Sequence, residues 1–311
     1  MITENRMLHA LWAPVAQLDS ASVFGTEGCR FESYRACFVV LKRKLFVTSS
    51  FPLATPTSDA FSSILMACTE LRLAMWSGPR NISTAMMRSW GNREDTFVCD
   101  EPLYAHYLRE TKLPHPGADE TVAHHECDWR KVVDWLTGPI SEGKTIFYQK
   151  QMAHHLLPQI DFDWLDRVTN CFLIRQPSEM VTSLIEFIPE PTIEDTALPQ
   201  QLRIFERVRQ QTGKTPPVLD SKDVLQNPRK MLERLCAVLD IEFTDQMLKW
   251  PPGLRETDGI WAKHWYAKVE HTTEFAPYRP RDEPVPSNLM SLVDRCNDLY
   301  QSLYEHRLTV G

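Results

Sequence analysis

One short segment, residues 77–84, carries the residue types that hold a phosphate or sulfate group. It reads Ser-Gly-Pro-Arg-Asn-Ile-Ser-Thr and lies between a predicted strand and a predicted helix. Such a turn directs backbone N–H groups and the positive end of a helix dipole at one point. Arg80 adds forked donors that suit phosphate oxygens, and Ser83 and Thr84 add hydroxyls in the first helical turn. The segment predicts an anion site; the alternative is an ordinary N-capped turn with a solvated arginine.

A second pair of similar groups follows a later strand. The apolar run 171–174 ends in Arg175-Gln176-Pro177, and Ser183 lies on the helix that Pro177 and Ser178 are expected to start. An arginine at a strand end and a hydroxyl on the next helix can converge on one phosphate. Taken separately, Arg175 could instead pair with a surface carboxylate, and Ser183 could be a neutral helix residue.

Together the two segments resemble the two cofactor-binding segments of the sulfotransferase family. The similarity covers most of residues 71–265. The sequence Trp-Ser-Gly-Pro-Arg-Asn-Ile-Ser-Thr resembles that of a subgroup described as branched-chain-aminotransferase-like. The resemblance implies the donor 3′-phosphoadenosine-5′-phosphosulfate (PAPS), with Arg175 and Ser183 at its 3′-phosphate. The residues implied at its 5′-phosphosulfate are Ser77, Gly78, Arg80, Asn81, Ser83 and Thr84. One departure is Ile82, which replaces the loop's usual glycine and restricts close approach of the backbone.

The resemblance also suggests which residue acts as base. In-line sulfuryl transfer needs a group that removes the acceptor's proton, and Asp100-Glu101-Pro102 ends the second predicted strand beside the first loop. Glu101 matches the position of the catalytic glutamate in carbohydrate and tyrosine-protein sulfotransferases, with Asp100 orienting the acceptor or the loop. The alternatives are a structural ion pair of Glu101 with Arg80 or Arg88, and His106 as base.

Lys150 follows the third predicted strand, where its ammonium could stabilise the bridging oxygen of the departing phosphate, together with Arg80 and the loop hydroxyls; a surface lysine is the alternative. The pairs 124–125 and 154–155 are adjacent histidines, which point in different directions and lack a third ligand, so no metal site is expected. Segment 259–265 resembles the family's nucleotide-covering segment. Trp261 could therefore stack on adenine and Lys263 could reach the 3′-phosphate, although core packing of Trp261 and Trp265 is favoured.

These residues require a scaffold in which strand ends meet. Short apolar runs predict strands at 71–76, 96–100, 145–149, 171–174 and 217–220. Amphipathic patterns predict helices at 83–90, 128–136, 178–187, 198–211, 224–239 and 287–304. Alternation of the two types predicts an α/β fold, a three-layer P-loop-type parallel sheet of about five strands flanked by helices. In such a sheet ligands bind beyond the C-terminal strand ends.

Composition narrows the class of protein further. The chain has 311 residues, a net charge of −7 and 8 cysteines, none of them in a CxxC pair. The negative charge argues against nucleic acid as a partner, and no apolar run is long enough to cross a membrane. Scattered thiols are typical of a reducing compartment, which predicts a cytoplasmic protein. The expected partner is a small-molecule acceptor.

The first sixty-five residues show no sustained helical or strand period. Segments 15–20 and 29–33 can be encoded by the D-arm and T-arm of a transfer-RNA gene, in the expected order. We therefore expect that translation begins at Met66 and that residues 1–65 are a mis-assigned start. A natural disordered leader is the alternative, and in both cases residues 66–311 form the sulfotransferase-like domain.

Two other functions are compatible with these motifs. A P-loop phosphotransferase would use ATP, with Asp100 as magnesium ligand, but the GxxxxGK[ST] pattern and its lysine are absent. A catalytically inactive nucleotide-binding module is the other alternative, and Ile82 in the loop is the feature that raises it.

Overall fold

The computed structural model describes residues 70–281 and 283–311, and the proposed start at Met66 lies outside them. Its centre is a five-stranded sheet with the order β2-β3-β1-β4-β5, and every neighbouring pair is parallel. The strands are β1 (Leu71–Ser77), β2 (Thr96–Asp100), β3 (Ile146–Met152), β4 (Thr169–Ile174) and β5 (Val218–Asp220). All five strands predicted from the sequence are present, and the parallel α/β prediction is confirmed.

Helices connect the strands and cover both faces of the sheet. The first half contains α1 (Ser83–Gly91), α2 (Tyr104–Thr111), α3 (Ala118–His124), α4 (Trp129–Thr137) and α5 (Pro177–Leu184). The second half contains α6 (Leu198–Thr212), α7 (Ser221–Gln226), α8 (Pro228–Val238), α9 (Ala262–Trp265) and α10 (Met290–Tyr304). In the part of the chain that the structure describes, no helix has the length and apolarity needed to cross a bilayer.

Two apolar layers enclose the sheet, because alternate side chains of each strand point to opposite faces. Ala74 and Trp76 of β1 pack in one layer with residues of α4, α5, α6 and α10. Leu73 and Met75 pack in the other layer with residues of α1 and α8. Burial on both faces explains why β1 and β4 read as continuous apolar runs. Strand pairing places β1 at the centre of the sheet, between β3 and β4.

Several helix predictions differ from the structure. The predicted helix at 224–239 is two helices, because Pro228 cannot continue α7 and instead starts α8, which the Asn227 side chain caps. The helix at 178–187 ends early, at Leu184. Helices α2 and α3 were not predicted; both are short, with eight and seven residues, and their apolar positions are too few to give a clear period.

Candidate active site

A cleft of about 600 Å³ opens at the C-terminal edge of the sheet, a volume typical of small-molecule sites. Arg80 and Arg175 both line it, together with Glu101 and Lys150. Asn81, Ser83, Thr84 and Ser183 line it as well. The cleft therefore brings together most of the site residues that the sequence predicted, although they come from four different strand ends.

Direct hydrogen bonds join the first predicted segment to the second. Arg175 Nη1 donates to the Arg80 carbonyl at 2.7 Å, and Arg80 Nε donates to Ser183 Oγ at 2.9 Å. Asn81 Nδ2 donates to the Leu173 carbonyl, also at 2.9 Å, at the end of β4. These contacts span 92 to 103 residues of sequence. The two segments form one continuous wall with both guanidinium groups in the same cleft.

Arg80 is held in an unusual conformation. Its φ is 56°, in the left-handed region that non-glycine residues rarely adopt, and its guanidinium lies 4.5 Å from the centre of the Phe187 ring. Burial lowers the pKa of Arg80, an effect that the nearby Glu186 carboxylate opposes. A strained backbone conformation of this kind persists only where surrounding structure enforces it, and such residues cluster at ligand sites.

Arg175 already has a carboxylate partner. Its Nη2 lies 3.1 Å from Oε2 of Glu179, which is in the first turn of α5, and Tyr278 donates to the other oxygen of the same carboxylate. The Arg175 side chain is 20% exposed and lines the cleft. The carboxylate orients this arginine without covering it.

Ser77 and Gly78 do not line the cleft. Ser77 Oγ is directed to the Gln151 carbonyl and the Met152 sulfur, each at 3.5 Å. A Cβ atom at Gly78 would lie 2.6 Å from the Thr196 carbonyl oxygen. The sequence loop needs glycine at that position because another segment packs closely against it.

Gln201 is a buried residue that connects two strand ends at the site, and the sequence did not predict it. Its Nε2 donates to the carbonyls of Trp76 and Leu173, both at 3.1 Å, and so bridges the ends of β1 and β4. These are the two strands that lead into the arginine-bearing segments. A glutamine in the amphipathic helix α6 looks like a solvent-facing residue in sequence, so no pattern identified it.

A buried cluster lies beside the arginine wall. Lys150 Nζ donates to Asp100 Oδ1 at 2.9 Å, to Glu101 Oε1 at 2.6 Å and to the Tyr266 hydroxyl at 2.6 Å. Parallel register places Asp100 directly opposite Lys150 on neighbouring strands. Tyr266, which follows α9, was not predicted because it is distant in sequence from both strands. Glu101 pairs with neither Arg80 nor Arg88, and Arg88 instead pairs with Asp258.

Burial and charge act in opposite directions within this cluster. Burial raises the pKa of Glu101, while the Lys150 ammonium opposes the shift. Burial alone would lower the pKa of Lys150, but the Asp100 and Glu101 carboxylates hold it well above its usual value. Lys150 is therefore charged, and Glu101 takes up a proton more readily than an exposed glutamate.

The histidines occupy different places. His106 is buried outside the cleft lining, with Nδ1 2.9 Å from the Cys127 carbonyl, so the structure does not place this candidate base near the other groups. His115, His154 and His155 do line the cleft. Burial lowers the pKa of His154 to about 4, which makes this imidazole neutral. Among residues 70–281 and 283–311, no three metal-ligating side chains come together.

The late segment 259–265 contributes His264 and Trp265 to the cleft lining. Trp261 is buried at a ring distance of 5.0 Å from Tyr104 and does not line the cleft, in agreement with core packing. Lys263 pairs with Glu120 on the surface, at 2.5 Å. Trp265 contacts Phe187 in the cleft lining, with ring centres 5.5 Å apart.

Comparison with known proteins decides the family. The sulfotransferase domain family matches residues 71–303. The chain is a member of the sulfotransferase-domain family. The sulfotransferase domain of the Synechococcus PCC 7002 olefin synthase has a TM-score of 0.49 and 17% identity, and the match covers 78% of this chain and 97% of that one.

Two curated relatives of this sulfotransferase-domain protein come from Arabidopsis thaliana. The branched-chain-amino-acid aminotransferase-like proteins 1 and 2 are 34% and 32% identical to it, over 74% of this chain in both cases. The chain spans 41% of the length of each relative. Both names are the same as that of the aminotransferase-like subgroup whose loop sequence resembles residues 76–84 of this chain.

Proposed function

We propose that this protein transfers a sulfuryl group from PAPS to a hydroxyl or amine of a small acceptor. The observation that carries the proposal is the single wall formed by Arg80, Arg175 and Ser183, in which two separate segments hydrogen-bond to each other. A donor with phosphate groups at both ends needs two cationic sites in one cleft, and each guanidinium offers forked donors suited to phosphate oxygens.

In the proposed reaction each residue has a distinct task. Arg175 and Ser183 hold the 3′-phosphate, while Arg80 and the N-terminal turn of α1, with Ser83 and Thr84, hold the 5′-phosphosulfate. Glu101 accepts the proton of the attacking hydroxyl or amine, for which its raised pKa is suitable. Arg80 and the helix terminus then stabilise the charge that develops on the departing phosphate.

The aromatic part of the cleft lining supports an acceptor with an apolar body. It includes Tyr104, Tyr107, His115 and Trp265, whose rings offer broad apolar faces with polar edges. Burial lowers the pKa of His115, so it adds no positive charge there.

The phosphotransferase alternative is disfavoured by the position of Asp100. Both of its carboxylate oxygens already accept hydrogen bonds, from Lys150, Tyr266 and the Gly259 amide, and Asp100 does not line the cleft. A magnesium ligand needs a free oxygen that faces the nucleotide phosphates.

Isothermal titration tests the donor assignment. We expect 3′-phosphoadenosine-5′-phosphate to bind without Mg²⁺, and ATP to bind weakly with or without it. Mg²⁺-dependent ATP binding would favour the phosphotransferase. Incubation with ³⁵S-labelled PAPS and a panel of phenols, alcohols and amines then tests transfer. Tight nucleotide binding with no labelled product from any acceptor would favour the inactive module.

A further inference from the structure

The Lys150 ammonium has no spare donor. It carries three N–H groups, and Asp100, Glu101 and Tyr266 each receive one. Lys150 is buried, yet it lines the same cleft as Arg80. Consequently Lys150 can contact a departing phosphate only after one of its three present partners is released.

Asp100 and Tyr266 are fixed partners. The Asp100 side chain is 1% exposed, and its oxygens also accept from the Tyr266 hydroxyl, at 2.6 and 2.7 Å, and from the Gly259 amide at 3.1 Å. Gly259 follows Asp258, which forms a buried bidentate pair with Arg88. Releasing Asp100 from Lys150 would leave a buried carboxylate without its counter-ion, which is costly.

Glu101 is a partner of a different kind. Its side chain is 13% exposed and lines the cleft, which the Asp100 side chain does not do. Its φ of 43° lies in the left-handed region, so the backbone is constrained where this carboxylate meets the cleft. Of the three groups that receive a hydrogen bond from Lys150, Glu101 is the one whose charge a ligand can change, by giving it a proton.

We propose that Asp100 and Tyr266 are positioning residues that hold Lys150 in place, whereas Glu101 is its exchangeable partner, so that proton uptake by Glu101 frees Lys150 for the leaving group. This inference rests on the proposed sulfuryl transfer. It extends that function by linking the base to the stabilisation of the departing phosphate.

The acceptor's proton moves to the Glu101 carboxylate, and the acceptor oxygen or nitrogen forms a bond to sulfur. The bond between sulfur and the bridging oxygen breaks, and its electron pair stays on that oxygen as 3′-phosphoadenosine-5′-phosphate forms. Neutral Glu101 attracts the ammonium less strongly, and Lys150 donates the freed N–H to the bridging oxygen as a hydrogen bond. Lys150 keeps its proton throughout.

The charge of the cluster favours this exchange. With both carboxylates ionised, the cluster carries one negative charge in excess; with Glu101 protonated it is neutral, which a buried site favours. The neighbouring titratable groups Tyr104, His125 and His155 add no charge. Burial raises the pKa of Tyr104, lowers that of His125, and holds that of His155 well below its usual value.

An NMR titration tests the link to Asp100 without needing turnover. The Glu101 carboxyl is followed in ¹³C-glutamate-labelled protein and assigned with Glu101→Gln. In Asp100→Asn the neighbouring negative charge is removed, so we expect the Glu101 pKa to fall relative to the wild type. An unchanged or higher Glu101 pKa would overturn the proposal.

Tyr266→Phe tests the positioning of Lys150, with Tyr148→Phe as the matched control. The Tyr148 hydroxyl is buried and has no hydrogen-bond partner among the described residues. We expect Tyr266→Phe to lower kcat about tenfold, the effect of about 1.4 kcal/mol at the transition state. Its KM for PAPS and its affinity for 3′-phosphoadenosine-5′-phosphate should not change.

The control Tyr148→Phe should keep the wild-type kcat. Wild-type kcat in Tyr266→Phe, or a loss confined to donor affinity, would contradict the positioning role. If the wild-type protein itself transfers no label to any acceptor, the proposed function fails. The NMR result for Asp100→Asn still decides the coupling within the cluster.

Discussion

The arginine wall and the lysine cluster share one cleft but are built in opposite ways. In the described structure the Arg80 guanidinium uses one of its five N–H donors in a hydrogen bond, to Ser183. Lys150 uses all three of its donors, and its side chain is 2% exposed. The wall is left with unused donors, while the cluster has none.

In the proposed reaction this difference separates the residues that bind the donor from those that take part in the chemistry. The unused N–H donors of a partly exposed arginine can donate hydrogen bonds to phosphate oxygens without breaking existing contacts. A saturated buried cluster instead sets the charge of each member, and it responds when a proton is added. Each of the following variants changes one side of this comparison.

Loss of the proposed base should have the largest effect on activity. Glu101→Gln should lower kcat/KM by about 10²- to 10⁴-fold, the usual contribution of a general base. Because burial raises the pKa of Glu101, wild-type kcat/KM should fall as the pH decreases through a value above the ordinary glutamate range. The exposed Glu110→Gln is the control, and a pH profile unaltered by Glu101→Gln would exclude Glu101 as base.

Loss of the buried ammonium should have the largest effect on stability. Lys150→Met leaves two carboxylates without a counter-ion and should lower the free energy of unfolding by about 3–5 kcal/mol. Without Lys150 the folded state binds protons more tightly than the unfolded state, so the deficit should shrink from pH 7 to pH 5. Urea unfolding at both pH values measures this.

The control for Lys150→Met is a lysine whose ion pair is exposed. Lys131 lies 3.3 Å from Glu126, and the two side chains are 69% and 46% exposed. Lys131→Met should cost at most about 1 kcal/mol at either pH. Equal losses for the two variants would show that the cluster at Lys150 has no special electrostatic role.

On the arginine side, Arg175→Ala should weaken binding of 3′-phosphoadenosine-5′-phosphate by about 1.5–3 kcal/mol, the range for a hydrogen bond to a charged group. The affinity for adenosine 5′-phosphate, which lacks the 3′-phosphate, should change little in the same variant. Titration calorimetry measures both ligands, with Arg207→Ala, which pairs with Asp166 outside the cleft lining, as control. Equal losses for the two nucleotides would remove Arg175 from the 3′-phosphate site.

The smallest effect is expected at Tyr148, whose buried hydroxyl has no hydrogen-bond partner in the part of the chain that the structure describes. Tyr148→Phe removes such a group and should leave the free energy of unfolding unchanged or raise it by about 1 kcal/mol. Tyr266→Phe, whose hydroxyl contacts Lys150 and Asp100, should lower it. Thermal or urea unfolding of the two variants checks the sign, and a loss in Tyr148→Phe would mean that its hydroxyl has a partner.

The sequence predicted those parts of the site that follow strand ends. Arg80, Glu101, Lys150 and Arg175 each lie where a buried apolar run stops, and a parallel sheet brings such positions to one edge. The strands were predictable for the same reason, since β1 and β4 are buried on both faces and carry long apolar runs.

The remaining site residues could not be found in this way. The hydrogen bond from Tyr266 to Asp100 joins residues 166 positions apart in sequence, and the one from Gln201 to Trp76 joins residues 125 positions apart. No local pattern encodes such contacts, which depend on how α6 and the segment after α9 pack against the sheet. The partners of Lys150 were missed for the same reason, because sequence shows a lysine at a strand end but not the carboxylates and hydroxyl around it.

The positive φ angles of Arg80 and Glu101 have a practical consequence for engineering. Glycine tolerates that backbone region better than either residue, so replacement should relieve conformational strain at both positions. A library selected for heat resistance alone would therefore enrich glycine at 80, whereas at 101 the lost hydrogen bond from the buried Lys150 ammonium opposes the gain. The selected variants would be heat-resistant proteins without the guanidinium that we propose binds phosphate, so a screen of this fold must reward turnover together with melting temperature.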